Sequence, residues 1–124
     1  MTDEVEDQKH ITEDEFTDIV ETWWEDQVGV ENVSREVYQP GPYWFVDLIV
    51  NRPEVDWYIE IENDRESIRD GVGQALGYAS DYKHGEPMII VPAGHTAQSE
   101  VEALRKSQAV LVREFDTKNM EFIK

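Results

Sequence analysis

The sequence has no cysteine, so neither disulfides nor thiolate-bound metals can hold the fold together. It has no apolar run near the roughly 18 residues that a membrane span needs. Its start, Met1-Thr2-Asp3-Glu4-Val5-Glu6-Asp7, lacks the basic residues and apolar stretch of a signal peptide, and the expectation is a cytoplasmic protein. Repeats, low-complexity tracts and linkers are absent, as are a phosphate-binding glycine loop, zinc spacing and a Ser/His/Asp set. His10, His84 and His95 are scattered, and exposed loop positions account for them. Bases are scarce too: five lysines and six arginines stand against 28 acids, for a formal charge of −17.

Those acids are spread along the chain between strong apolar blocks, which argues against general disorder. At ordinary ionic strength such self-repulsion strains a compact state. Near 1 M salt the Debye length falls to about 3 Å and the repulsion fades. Few lysines, dispersed acids and an ordinary core therefore predict adaptation to molar salt, as in a halophilic cell or its virus. The 124 residues fit one domain, with 1–11 as a short frayed lead.

Thr12 followed by Glu15 forms a capping box, and Phe16, Ile19, Val20, Trp23 and Trp24 fall at helical spacing. A helix over 13–27 stopped by Gly29 is predicted. Strands are predicted over 33–39, 43–50 and 56–62, as an antiparallel meander with turns at Pro40-Gly41-Pro42 and Asn51-Arg52-Pro53-Glu54. A second helix over about 65–82 ends at His84-Gly85-Glu86-Pro87. A short strand at 88–91, a helix from Thr96 or Ser99 to about Lys106, and a last strand at 109–114 complete the order α-β-β-β-α-β-α-β. The fold class is α/β, a mixed sheet flanked by helices.

Asp47 interrupts the apolar run Trp44-Phe45-Val46 and Leu48-Ile49-Val50, where burying a carboxylate is costly unless something binds it. Glu60 and Glu62 are two apart on a strand and share a face, while Trp57, Ile59 and Ile61 point to the opposite, core face. If the two strands pair, three carboxylates meet at one end of the sheet, an oxygen donor set suited to Mg²⁺ or Mn²⁺. With this composition an acid-x-acid triplet arises about six times by chance, so Glu60-Ile61-Glu62 alone carries nothing. Asp47 and the order of elements give it weight.

That order, with Val46-Asp47, then Glu60-Ile61-Glu62, then a crossover helix, resembles the PD-(D/E)XK nuclease superfamily. Gln74-Ala75-Leu76-Gly77-Tyr78 is similar to the Gln-x-x-x-Tyr motif of its RecB-like exonuclease branch. The small size and leading helix also look like archaeal Holliday junction resolvases, which implies a helical glutamate in the metal site, Glu15 here with Glu21 as competitor. The resemblance implies a restriction endonuclease-like core, Mg²⁺ or Mn²⁺ held by Asp47, Glu60, Glu62 and Glu15, and Gln74 and Tyr78 orienting a DNA strand. It departs at two places: Val46 stands for proline, and Glu62 stands where lysine helps position or activate the attacking water. Some restriction enzymes of the superfamily have glutamate there and are active. Glu62 can act as a general base or bind a second metal, and Arg65, Arg69 or Lys83 can supply a cation instead.

The function expected is metal-dependent hydrolysis of phosphodiester bonds in DNA. A catalytically inactive module binding DNA or a protein partner, and an acidic DNA mimic, are the alternatives. Arg35, Arg52, Arg65 and Arg69 lie near the motif strands and are candidate phosphate contacts, although surface ion pairs look the same in sequence. A chain this small that cuts two strands is expected to work as a two-fold homodimer.

Overall fold

A computed structural model describes residues 11–38, 45–63, 85–94 and 111–123. The predicted helices over 65–82 and 96–106 lie outside these residues, as do Gln74, Tyr78, Arg65, Arg69, Lys83 and all three histidines.

Helix α1 (Glu13–Val28) begins as the capping box requires. Thr12 Oγ1 accepts from Glu15 N at 3.1 Å, and Glu15 Oε1 accepts from Thr12 N at 3.0 Å. Phe16, Val20 and Trp24, spaced by four, are its buried stripe. Each contributes roughly 1.5–3 kcal/mol on burial. Gly29 ends the helix at φ 97°, a conformation that costs glycine nothing, and a 3-10 turn (Val30–Asn32) leads into the sheet.

Among the described residues six strands follow: β1 (Val33–Tyr38), β2 (Phe45–Asn51), β3 (Asp56–Ile61), β4 (Gly85–Pro92), β5 (Leu111–Asp116) and β6 (Glu121–Phe122). Spatial order equals chain order. β1, β2 and β3 form the expected antiparallel meander; β4 and β5 continue parallel to β3, and β6 returns antiparallel. The mixed α/β architecture agrees with the sequence reading. Several boundaries differ: β5 runs on to Asp116, past the predicted end at 114, and Gly85, Glu86 and Pro87, read as a helix stop, belong to β4. There Gly85 passes so close to Tyr58 that a Cβ would lie 2.7 Å from the ring, so the strand needs a residue without one.

α1 packs on one face of the sheet against Val33, Leu48, Val50, Ile59, Ile61, Met88, Ile90, Phe115 and Phe122. Trp23 closes this core edge-on against Phe122, with centroids 4.7 Å apart. β4 is buried on both faces: Met88 and Ile90 meet α1, while Ile89 and Val91 are wholly buried on the other side. No helix among the described residues is long and apolar enough to cross a membrane.

Candidate functional site

Simple alternation fixes the faces of β3. Ile59 and Ile61 enter the α1 core and Trp57 packs against it, as expected. Glu60 and Glu62 take the other face, which is not solvated: they are 3% and 7% exposed. Two carboxylates in one strand that far from water are costly unless paired, and each of them has an interaction partner.

Asp47 reaches them through an irregularity in the sheet. β1 and β2 pair in one register from Val33↔Val50 to Tyr38↔Phe45, but the pair Glu36–Asp47 is missing from it, and Glu36 has φ 52°. Alternation breaks at the same place. Leu48 and Val50 face α1, yet Val46 joins Ile49, Tyr58 and Val37 in a separate cluster. Regular pairing of β2 with β3 stops at Leu48↔Ile59. Beyond it the half-buried Asp47 carboxylate takes the place of a backbone acceptor, and Ile61 N donates to its Oδ2 at 2.8 Å. Asp47 is thus fastened to the residue between Glu60 and Glu62.

All three acids lie where parallel β3, β4 and β5 end. Glu62 N continues the ladder by donating to Ile90 O at 3.1 Å. Among the described residues no three acidic or histidine side chains stand close enough together to hold a metal ion by themselves. The donor set nevertheless suits Mg²⁺ or Mn²⁺, which bind one or two carboxylates and complete their shell with water and phosphate oxygens.

The remaining candidates fall elsewhere. The N-terminus of α1 is tied to this end of β3, Asn63 Nδ2 donating to Ile11 O at 3.2 Å. Glu15 there is exposed and engaged by Thr12, whose hydrogen bonds hold its pKa below the usual carboxylate value. Arg35, a candidate phosphate contact, is occupied within the protein. It bonds Asp18, donates to Glu21 Oε1 at 3.2 Å and lies 3.9 Å from Asp14; the bond to Asp18 chiefly raises its pKa. Glu21, the alternative helical ligand, is therefore Arg35's partner. Arg52 is exposed in the β2–β3 turn, at the other end of β2, about 16 Å from Asp47 at strand rise. Sequence reading passed over one acid: Glu114 of β5, 6% exposed, on the face of Glu60 and Glu62.

Among solved structures, the chain is similar to a repair endonuclease from Pyrococcus abyssi, with a TM-score of 0.56 at 14% identity. The chain has a nuclease-like fold. The match covers 86% of this chain and 48% of the endonuclease, so the chain spans about half that protein's length. No protein-family model and no curated protein matches the sequence.

Proposed function

We propose that this protein is a divalent-cation-dependent nuclease of the PD-(D/E)XK kind, hydrolysing phosphodiester bonds in DNA and suited to molar salt. The observation that carries the reading is Asp47 Oδ2 bonded to Ile61 N, which fastens Asp47 to the residue between buried Glu60 and Glu62 in a nuclease-like fold. Asp47 and Glu60 would be the principal ligands. A bound Mg²⁺ would supply positive charge to the phosphodiester and acidify a water.

The chain's own contribution is orientation and proton transfer. Ile61 N holds Asp47 in one rotamer, and strand pairing fixes Glu60 and Glu62. Glu62, in place of the superfamily's lysine, accepts a proton from the water as its oxygen attacks phosphorus. The bond from phosphorus to the leaving oxygen breaks, and that oxygen takes a proton from solvent. Gln74 and Tyr78 are proposed to orient the DNA strand, by the resemblance that marks them. Since Arg35 is engaged by three acids of α1, DNA binding would rest on cation bridging, hydrogen bonds and shape more than on a basic surface.

The substitution of Glu62 for lysine favours a second reading, a non-catalytic module of the same fold. The test is nicking of supercoiled and linear DNA with Mg²⁺ or Mn²⁺ at about 2 M KCl, where charge is screened. Cleavage by the wild type that Glu60→Gln abolishes is expected. Absence of cleavage with either metal would leave the binding module.

A further inference from the structure

Glu36 carries an inference that rests on the nuclease reading of this site and deepens it. In a regular strand, residues two apart share a face. Val33 and Arg35 keep that rule: Val33 enters the α1 core and Arg35 reaches the acids of α1. Val37 breaks it, packing with Val46, Ile49 and Tyr58 on the opposite face. The change of face falls on the one residue between Arg35 and Val37, and that residue has φ 52°. β2 behaves alike: Leu48 and Val50 face α1 while Val46 does not, so its change of face falls on Asp47. The register holds on both sides of the break, with Arg35 opposite Leu48 and Val37 opposite Val46. The two half-turns therefore face each other. If only one strand turned, Val37 and Val46 would stand on opposite sides of the sheet and their shared cluster would be lost.

The side chain of Glu36 does not account for its turn. It is exposed, and a left-handed backbone is unfavourable for residues with a Cβ, most of all for β-branched ones. The turn accompanies the departure of Asp47 from the β1–β2 ladder. On the far side of β2, Ile61 N points toward Asp47, because the next amide, Glu62 N, is the one that joins β4. We propose that Glu36 is a positioning residue: its left-handed backbone turns Asp47 out of the ladder and sets the carboxylate on Ile61 N, the arrangement that presents Asp47 to the cation assigned to it and Glu60. The requirement lies in the backbone at 36 and not in the glutamate's charge, so glycine meets it and valine does not.

The experiment compares wild type, Glu36→Val, Glu36→Gly and Glu36→Ala in the whole chain at about 2 M KCl. Amide hydrogen exchange at Ile61 reads the bond to Asp47, with Val50, away from the turn, as the reference; Mn²⁺ calorimetry reads the site. Glu36→Val should speed exchange at Ile61 relative to Val50 by at least about ten-fold and weaken Mn²⁺ binding by at least about ten-fold. Glu36→Gly should restore both to wild-type levels and melt at or above wild type, because glycine takes the left-handed conformation freely. Glu36→Ala removes the charge and keeps the Cβ, and should match wild type in both. Unchanged exchange at Ile61 in Glu36→Val, or faster exchange with unchanged Mn²⁺ affinity, would overturn the proposal and leave the nuclease reading standing. Equal acceleration at Ile61 and Val50 would mean general destabilisation and overturn it too, as would weaker Mn²⁺ binding in Glu36→Ala. If Glu36→Val does not fold, Glu36→Gly decides: a Tm below wild type or lost protection at Ile61 would refute the role of the left-handed backbone. No Mn²⁺ binding by the wild type would remove the cation assignment, and exchange at Ile61 alone would then decide whether Glu36 places Asp47.

Discussion

Asp47 has two duties, and two substitutions separate them. Its Oδ2 accepts the Ile61 amide at 2.8 Å, and Ile61 is fully buried. Alanine would leave that N–H without an acceptor in a dry sheet, at a cost of about 2 kcal/mol. With a urea m-value of about 2 kcal/mol/M, the midpoint should fall by about 1 M, and Tm by about 8 °C. Asparagine keeps an acceptor at the same place and should lose less than about half as much. Neither variant should cleave DNA. Urea is the right denaturant because guanidinium would change the screening of so acidic a chain. Asp47→Ala as stable as wild type would refute the Asp47–Ile61 bond; cleavage by Asp47→Asn would refute the carboxylate's role.

Other expectations follow from named contacts. Gly85→Ala forces a methyl into the Tyr58 ring and should destabilise by about 1–3 kcal/mol, seen as a lower urea midpoint at unchanged m. Phe115→Ala, at the centre of the aromatic core, should cost about 3–5 kcal/mol in the same assay. Arg35→Ala leaves Asp14, Asp18 and Glu21 without their cation, so its melting deficit should be larger at about 0.1 M KCl than at about 2 M; a salt-independent deficit would count against ion pairing. Glu15 and Asp116 have pKa values below their ordinary 4.5 and 3.8, through bonds from Thr12 and from Asn119 and Lys118 respectively. Their contribution is complete above those ordinary values and is lost as pH falls through the lower folded ones, so Glu15→Gln and Asp116→Asn should flatten the acid limb of stability against pH.

Much of this was legible in residue order. Thr12 and Glu15 mark the helix start because capping is local chemistry, and Gly29 marks its end for the same reason. Period-two alternation from Trp57 to Glu62 gave the correct faces of β3, and the apolar density of β2 gave an interior strand. Burial of Glu60 and Glu62 was not legible, since alternation tells which face a residue takes but not what covers it. The break at Glu36 and Asp47 was also hidden: nothing in the glutamate itself announces a positive φ, and the bond that Asp47 accepts comes from another strand. Pro87 pointed the wrong way because its local turn preference yields to pairing with Tyr58. Glu114 could have been found by the rule that singled out Asp47, an acid among apolar strand residues. Ending the strand at 114 made it look like a terminus, whereas β5 runs on to Asp116.

The left-handed turn at Glu36 also bears on how copies of this chain can meet. β1 borders the described sheet, and its outer rim of amides and carbonyls is a natural template for another strand. A residue at φ 52° within that strand interrupts the rim's regular spacing, and Ser34 and Glu36 lie exposed beside it. A second copy cannot extend the sheet there in unbroken register, which guards against runaway strand-to-strand polymerisation wherever salt suppresses charge repulsion. A two-fold assembly would have to form through a different surface and leave this border as a boundary.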